Sequence, residues 1–427
     1  MKKSLCRATV PIFLLGLLAA CGGKDPGTKV TPAVVDAAGN PAPLVAVAYQ
    51  VESDAWRVLS PDADGKLSFY VPKGKTRYGV AVRCTGTTPV VSSLMNDSVN
   101  VVVQLTTEES TAPRLTCLTP GPLASLTGRA DVSGVTGAAK FMVFSGRDGW
   151  YSRSTASGYY LTAPYGTGRD VVVLAADTSR KGLAGKLVRG ISALNSVSLP
   201  DITLTNADAL VNHNVAAFAV PPGWSGKYSL SLYTAGGTTV RNQGLGAGSH
   251  AGGSIRAFAN TQAGDIYMLG IYASSSTNDR GTMRLRFIDA PDLGDISESL
   301  QIDPFAPRTV AAAARPALPA NHADEGVLAY MFVTTSTGNF WMYTVSRPWL
   351  AGAEAYAVPD LGGLYGFGHT QPLSGETMDW YAMALKANIS PQKLFELPRA
   401  IDYYFAFPRE KGAVLDIALL QGSFVVP

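Results

Sequence analysis

The amino-acid sequence predicts an all-β protein made of tandem β-sandwich domains behind a flexible N-terminal segment. Apolar and polar residues alternate with period two in many short runs, such as Lys66–Val71, Tyr228–Tyr233 and Met283–Ile288, and this pattern is typical of half-buried strands. Turn signals rich in Asp, Gly and Asn separate the runs at the spacing expected of sandwiches. Long amphipathic helices are not indicated, and only Ser390 to Pro398 has the capping pattern of a short helix.

The composition agrees with an exported protein that binds no nucleic acid. Only 16% of the residues are charged, against about 25% in typical soluble proteins, and Gly, Ser, Thr and Pro take their place. The formal net charge is +3, and no stripe of Lys and Arg occurs along the chain. Binding to nucleic acid therefore has no electrostatic support.

The first 20 residues have the features of a secretory signal peptide. Lys2 and Lys3 precede an apolar run from Ala8 to Ala20, which at about 13 residues is too short to cross a ~30 Å hydrocarbon core. The run ends in Leu18-Ala19-Ala20-Cys21, which resembles the lipobox of bacterial lipoproteins. That resemblance implies removal of residues 1–20 and a lipid on Cys21, which would attach the chain to a membrane. An ordinary secretory signal with an accidental cysteine is the alternative.

Residues 21–27 predict a flexible tether because they are rich in glycine. In double-membrane bacteria, Asp directly after the lipidated cysteine resembles an inner-membrane retention signal. This chain has Gly22 at that position, so the resemblance implies the outer membrane or the cell surface. No second long apolar run follows, and the several acyl chains of a lipoprotein anchor give stable attachment.

An internal repeat divides the first half of the chain. Residues 67–82 and 159–174 share a proline, a glycine, an arginine and a valine at an offset of 92 residues, while Trp56 and Trp150 correspond upstream. Each copy reads as a hairpin, with a strand, a Pro-x-Gly turn and a second strand. We expect two homologous sandwich domains at 28–112 and 113–205. Two further sandwich domains are expected at 206–305 and 306–427.

The first copy also resembles the carboxypeptidase-regulatory-like, Ig-like modules of bacterial surface proteins. The matching residues are Val34-Val35-Asp36, Gly39-Asn40-Pro41 and Gly65 to Tyr78, including Val71-Pro72-Lys73-Gly74. The resemblance implies an Ig-like sandwich without an activity of its own, in a structural or adhesive role. The stretch from Pro372 to Leu385 is faintly similar to a fibronectin type III end, which supports a sandwich there as well.

Two cysteines remain besides Cys21 and Cys6 of the signal peptide. Exported proteins fold in an oxidising compartment, so a Cys84–Cys117 disulfide is expected. Both cysteines follow strand-like runs, and the bridge would tie the first domain to the start of the next. Two buried free thiols are the alternative, and two cysteines this far apart do not make a zinc site.

Catalytic and metal-binding signals are weak, so the sequence predicts no enzyme. HExxH and GxSxG motifs are missing, and the four histidines are scattered, at His213, His250, His322 and His369. A hydrolase whose histidines meet only in the folded chain is a lesser alternative. No cofactor is predicted except calcium, for which the candidate ligands are the oxygens of Asp289, Asp292, Asp295 and Glu298. An ordinary solvated loop explains these residues equally.

The C-terminal domain is rich in aromatic residues. Its strands carry apolar groups on both faces, since Phe340 and Met342 alternate with Trp341 and Tyr343. A sandwich strand needs only one apolar face, so the outer aromatics must cover a neighbouring domain, a partner protein or a sugar ring. The candidate binding side chains are Trp341, Tyr343, Trp349, Trp380 and Tyr404.

Taken together, these features predict a non-enzymatic envelope lipoprotein with a structural or protein-binding role. Its sandwich domains would form a string that starts at Cys21 and ends at the aromatic domain. The expected partners are the membrane, bound through the lipid, and an envelope protein. A lipoprotein that binds a glycan through the C-terminal aromatics is the alternative.

Overall fold

A computed structural model describes residues 27–427 except 37, 86–97, 118–121, 148, 290–294, 301–304, 306–308, 337–338, 369–371 and 403–404. Strands dominate this part of the chain, which confirms the all-β class. The helices are short: α1 (Asn242–Leu245), α2 (Arg347–Leu350) and α3 (Pro391–Glu396). The predicted helix is α3, and the Ser390 side chain caps it by accepting from the Lys393 amide. None of the described helices is long and apolar enough to cross a membrane.

Segment 1 comprises residues 27–117. Its strands are β1 (Thr28–Val30), β2 (Ala33–Val35), β3 (Leu44–Val51), β4 (Arg57–Val58), β5 (Phe69–Val71), β6 (Arg77–Cys84), β7 (Ser98–Thr106) and β8 (Arg114–Thr116). One sheet has the order β4-β3-β6-β7, while β1 pairs with β5 and β2 runs parallel to β8. These small sheets cover one face of the larger sheet, since residues of both share one core.

Segment 2 comprises residues 122–205. Its strands are β9 (Leu123–Gly134), β10 (Lys140–Ser145), β11 (Gly149–Ser154), β12 (Ala156–Pro164), β13 (Gly166–Ala176), β14 (Gly182–Ala193), β15 (Val197–Ser198) and β16 (Ile202–Thr205). One sheet has the order β11-β10-β13-β14. In the other, β9 pairs with β12 and runs parallel to β15 and β16.

Segments 1 and 2 share one topology, as the repeat predicts. The order β4-β3-β6-β7 matches β11-β10-β13-β14, and the parallel pair β2–β8 matches β9–β16. The predicted hairpins, however, are wrong. The Pro72-to-Gly74 turn joins β5 to β6, and the Pro164-to-Gly166 turn joins β12 to β13, in each case between different sheets. Gly74 and Gly166 have φ values of 85° and 136°, so glycine makes these sheet-to-sheet turns without strain.

Segment 3 comprises residues 206–300. Its elements are a 3₁₀ turn (Asn206–Asp208), β17 (Val211–Val215), β18 (Ser225–Tyr233), β19 (Thr239–Val240), α1, β20 (Ala247–Ser249), β21 (Gly253–Ala257), β22 (Ile266–Ser274) and β23 (Arg280–Asp289). The strand order is β19-β18-β22-β23, and β17 pairs with β21 beside this sheet.

Segment 4 comprises residues 309–427. Its strands are β24 (Ala317–Pro319), β25 (Ala329–Ser336), β26 (Asn339–Ser346), β27 (Ala355–Ala357), β28 (Thr377–Ala387), β29 (Arg399–Asp402), β30 (Phe405–Pro408) and β31 (Val414–Val425). The order β26-β25-β28-β31 repeats β19-β18-β22-β23, and β24–β27 repeats β17–β21. Segments 3 and 4 are thus a second structural repeat, which the sequence pattern does not reveal.

Three of the four segments share a single sheet of 13 strands. β7 of segment 1 runs parallel to β26 of segment 4, and β23 of segment 3 pairs antiparallel with β31. The tandem sandwiches are therefore joined through their sheet edges and not only end to end. Edge strands that would carry unpaired backbone groups in isolated sandwiches are instead hydrogen-bonded to a neighbouring segment.

The aromatic strands of segment 4 are buried on both faces. Phe340 and Met342 lie in a core shared by segments 1, 3 and 4. Trp341 and Tyr343 lie in a second core, which β24, β27 and their flanking loops cover. Segment 2 is buried similarly, because β10 and β13 pack against segment 3 on one side and against β9 and β12 on the other.

The predicted disulfide joins Cys84 to Cys117. Both cysteines are at most 1% exposed and lie in the core of segment 1. The Cys117 amide also donates to the Val35 carbonyl at 2.7 Å. The bridge therefore closes segment 1 itself and does not tie it to the next domain as expected.

Candidate anion-binding site

The predicted aromatic platform is not a surface. Trp341 is 7%, Tyr343 1% and Trp380 5% exposed, and all three pack in the second core of segment 4. Trp349 is partly buried against the same core, and Tyr404 lies outside the described residues. Packing against neighbouring elements of the fold accounts for these three buried rings. The prediction that Trp341, Tyr343 and Trp380 bind a sugar is therefore wrong.

The buried tryptophans are expected to contribute to stability. Replacing Trp380 by Phe (Trp380→Phe) should lower the free energy of unfolding by about 1–2 kcal/mol, because the smaller ring leaves a gap beside Gly422. The matched control is Trp150→Phe, since Trp150 is 43% exposed and should change stability by less than about 0.5 kcal/mol. Denaturant unfolding followed by circular dichroism measures both. Equal losses in the two variants would contradict the assignment.

The candidate calcium ligands have other partners. Asp289 pairs with Lys411 at 2.6 Å, and Glu298 pairs with Arg286 at 2.8 Å. Asp295 accepts from the Asn214 amide at 3.3 Å, and Asp292 lies outside the described residues. Across the described ranges, no group of three or more His, Cys, Asp or Glu side chains could hold a metal ion.

The histidines expected of a hydrolase lie on different elements. His213 is in β17, His250 is in the turn after β20, and His322 precedes β25, while His369 lies outside the described residues. Burial lowers the pKa of His322 against the opposing effect of Asp324, and its Nδ1 accepts from the Asp324 amide at 3.1 Å. None of these three lines the arginine cleft described next.

An arginine-rich cleft lies where the four segments meet. Its volume is about 80 Å³. It is lined by Arg114 of β8 in segment 1, Arg147 of the β10–β11 turn in segment 2, and Arg399 and Arg409 of the β29–β30 hairpin in segment 4. Segment 3 contributes Tyr233 and the turn that follows β18. We call this the arginine cleft.

One wall of the arginine cleft is the turn after β2. The Gly39 amide donates to the Asp36 carbonyl at 3.0 Å, and Gly39 has a φ of 84°, which favours glycine. The Asp36 carboxylate accepts from the amides of Ala38 and Asn40 at 2.8 and 2.9 Å. In this Asx-type turn the Asp36 carboxylate is hydrogen-bonded to the backbone that follows it. Asp36 is only 1% exposed.

A second wall joins segments 2, 3 and 4. The Thr239 amide donates to the Gly146 carbonyl at 2.8 Å, which holds the Arg147 turn against the turn after β18. Arg409 Nη2 donates to the carbonyls of Thr234 and Gly264 at 3.2 and 3.1 Å. Its guanidinium also lies over the Tyr233 ring, 5.8 Å from the centroid. Neutral carbonyls and a ring thus position this charge.

The lining of the arginine cleft contains more basic than acidic side chains. It holds four guanidinium groups and one carboxylate, that of Asp36. Burial and the nearby Arg114 charge lower the pKa of Arg399 to about 10. Burial also lowers the pKa of Arg114 and Arg409. Like charges held together away from water favour an anion between them, so the arrangement can bind an anion through forked, charge-assisted hydrogen bonds.

The sequence analysis missed the arginine cleft. The four arginines lie between positions 114 and 409, in short loops or at strand ends, and no local motif connects them. Only the pairing of β7 with β26 and the packing of segment 2 on segment 3 bring them together. Long-range contacts of this kind leave no periodic signal in the chain.

No protein-family model matches this chain, and no curated protein matches it either. Among solved structures, the Bacillus anthracis TIE protein aligns with 64% of this chain and 50% of its own, at 10% identity and a TM-score of 0.15. A streptococcal ancillary pilin aligns over 64% of this chain and 99% of its own, at 9% identity and a TM-score of 0.14. The pilus adhesin SpaC of Lactobacillus rhamnosus GG aligns over 75% of this chain and 43% of its own, at 10% identity and a TM-score of 0.12. The chain thus spans half the length of the first protein, and superpositions this loose carry no argument about function.

Proposed function

We propose that this protein is a non-enzymatic, lipid-anchored component of the bacterial cell envelope with a structural or protein-binding role. It is held at the outer membrane or cell surface through Cys21. The observation that carries the proposal is the joining of segments 1, 3 and 4 in one sheet, on which segment 2 packs. A rigid arrangement of segments of this kind would keep its binding surfaces in fixed positions near a membrane.

Side chains reinforce the joints between the segments. Ser346 donates to the buried Glu109 carboxylate at 2.5 Å, which links segments 4 and 1. Arg284 and Asp416 face each other in the β23–β31 pair, where Nε and Nη2 donate to the two carboxylate oxygens at 2.6 and 2.9 Å. Paired, directional bonds of this type resist sliding of one strand along the other. They favour a scaffold role over a flexible chain of adhesive modules.

The lipobox-like sequence places the anchor close to the folded body. β1 begins at Thr28, and an extended chain spans at most about 3.6 Å per residue, so Thr28 lies within about 25 Å of Cys21. Segment 1 would therefore stand at the membrane. A scaffold this close to the membrane is consistent with a protein that supports or binds other envelope components.

The anchor makes a direct prediction. The Cys21→Ser variant, expressed in a double-membrane bacterium, should lose all incorporation of labelled palmitate and keep its signal peptide, because the thiol that accepts the lipid is gone. Autoradiography and intact-mass measurement check this. Cys6→Ser is the matched control and should be labelled and processed like the wild type. Undiminished labelling of Cys21→Ser would contradict the anchor.

The binding role is tested by cross-linking on intact cells. A photoreactive amino acid at the exposed positions Tyr160 and Tyr365, which are 59% and 87% exposed, should give adducts of discrete mass after irradiation. The same variants without irradiation serve as controls. Monomer alone from both positions would contradict a protein-binding role.

A further inference from the structure

We propose that the β-turn at residues 364–367 is a docking point for another envelope protein, and that the ring of Tyr365 enters an apolar pocket on that partner. We call this element the Tyr365 turn. The inference rests on the proposed protein-binding role and names the surface that performs it. Three observations carry it: the exposure of one aromatic ring, the contacts that fix the turn, and the place of the turn relative to the tether.

The Tyr365 side chain is held out into solvent. Tyr365 is 87% exposed, more than any other large apolar residue in the described part of the chain. Leu361 and Phe367 on either side are buried in the second core of segment 4, and Leu364 packs against that core. Single exposed apolar residues are ordinary on protein surfaces, so the support beneath this ring is what distinguishes it.

The backbone of the Tyr365 turn has a defined conformation. The Phe367 amide donates to the Leu364 carbonyl at 3.0 Å, and Gly366 has a φ of 84°. These features define a type II turn, in which Tyr365 takes the second position and glycine the third. The direction in which the Tyr365 side chain leaves the chain is therefore set by the backbone and not by contacts of the ring.

Segment 1 supports the Tyr365 turn from below. Nη1 of Arg83 in β6 donates to the carbonyls of Gly366 and Gly368 at 2.9 and 3.1 Å. A Cβ atom added to Gly366 would lie 2.5 Å from the Cβ of Ala46, so the turn rests directly on β3. A support of this kind reduces the conformational entropy that binding would otherwise remove. Ordered tyrosines are also among the side chains that contribute most to protein interfaces.

The surroundings of the ring favour a protein over a sugar. Residues 361–368 contain no charged side chain, and the phenol of Tyr365 is their only polar side-chain group. Val45 of β3, whose carbonyl lies beside Gly366, is 48% exposed. A sugar site needs several polar side chains that fix the orientation of the ligand. An apolar pocket with one acceptor for the phenol suits tyrosine better, because its ring is apolar and its tip is polar.

The tether leaves segment 1 at another place. Gly27 lies against Pro72, in the turn that leads into the start of β6, whereas Ala46 beneath the Tyr365 turn pairs with Arg83 near the end of β6. β1 and β5 also pack in the core shared by segments 1, 3 and 4, while the Tyr365 turn packs in the second core. The turn is thus on the opposite face of the sheet from the tether. A protein is therefore favoured over the anchoring membrane as its partner.

The test is photocross-linking of the full chain on intact cells, with p-benzoylphenylalanine in place of Gly363. Gly363 is exposed, its φ is outside the left-handed region, and an added Cβ atom would meet nothing within 4 Å. We expect an adduct of discrete mass with a second protein. Adding Tyr365→Ala should lower the adduct yield by about tenfold or more, as truncation of a central interface residue does. Tyr365→Phe keeps the ring and should lower the yield by only a few-fold.

Two further variants separate binding from folding. Tyr70→Ala is the matched control, because Tyr70 of β5 is 48% exposed and pairs with Lys29 beside the tether. It should leave the adduct yield from position 363 unchanged. Arg83→Gln keeps the ring but removes the two bonds to the turn, and should lower the yield by a few-fold because the turn is less ordered. Tyr365→Ala should melt like the wild type, since its ring contacts little of the fold.

Four outcomes would overturn the inference. An undiminished adduct in Tyr365→Ala would show that the ring is not the contact. An adduct of twice the mass of the chain would indicate a second copy, and an adduct shortened by glycan hydrolases would indicate a sugar polymer. An adduct from position 160 with none from position 363 would overturn this inference alone and leave the protein-binding role standing. Monomer alone from positions 160, 363 and 365 would contradict both.

Discussion

Replacing Arg189 by alanine is expected to lower the free energy of unfolding by about 3–5 kcal/mol. Arg189 lies in β14 of segment 2 and bridges two carboxylates that are each 2% exposed, Asp170 of β13 and Asp265 before β22 of segment 3. Its terminal nitrogens reach Asp170 at 2.8 Å and Asp265 at 2.6 Å. Without the guanidinium, two like charges would remain buried side by side, which costs far more than the loss of an exposed pair.

Arg189 stays protonated in this cluster, so its ion pairs with Asp170 and Asp265 hold segments 2 and 3 together permanently. Burial alone lowers the pKa of Arg189, but the hydrogen bonds that it donates to Asp265 and Asp170 outweigh burial and raise that pKa above its ordinary value. The amides of Ala235 and Gln262 also donate to Asp265, at 2.8 and 3.0 Å. Every carboxylate oxygen of Asp265 therefore has a donor, as a stable buried charge requires.

The measurement is chemical denaturation of Arg189→Ala beside Arg315→Ala. Arg315 pairs with Asp360, but their side chains are 48% and 51% exposed, so this control should lose less than about 0.5 kcal/mol. Adding Asp170→Asn and Asp265→Asn to the Arg189 variant should restore part of the loss, because no charge then stays buried. If Arg189→Ala lowers the free energy of unfolding by less than about 1 kcal/mol, the cluster does not hold segments 2 and 3 together.

Removing the disulfide is the second large effect that we expect. The double variant Cys84→Ala/Cys117→Ala should be less stable by about 3–4 kcal/mol, because the bridge closes a loop across a sequence separation of 33 residues and so restricts the unfolded chain. The bridge also joins β6 of the long sheet to the chain just after β8 of a small sheet. Its loss should therefore loosen the two layers of segment 1 first.

The control for this prediction is the reducing agent itself. Dithiothreitol should bring the wild type down to the stability of the double variant and leave the double variant unchanged. Hydrogen exchange then locates the loss, with faster exchange expected in β2 and β8 than in β28. A double variant as stable as the oxidised wild type would contradict the prediction.

The sequence predicts the strands better than their assembly. Alternation identifies the Tyr228–Tyr233 part of β18 and the Met283–Ile288 part of β23, because the pattern is local. The turn at Asp36 and the cap at Ser390 follow equally from side chains next to the backbone they bind. The partner of β7 could not be predicted, since a parallel pair with β26, more than two hundred residues away, has no local signature.

For the candidate site too, local features could be predicted from the sequence and contacts between distant segments could not. Cys84 and Cys117 could be paired from the redox compartment and their position after strand-like runs. The sequence predicts that the outer aromatics of β26 contact something, and in the fold β24 and β27, whose short sequences look like loops, cover them. The four arginines of the cleft carried no signal at all, because a site built from distant segments exists only in the folded chain.

The pairing of β7 with β26 also sets an order of events during synthesis. β7 is synthesised long before β26, so its valine-rich edge must wait without its final neighbour. An open, apolar edge strand invites pairing with other chains, and contacts this distant along the chain slow folding. Keeping the incomplete protein apart from its copies until the C-terminal strands are made is therefore a requirement of this topology.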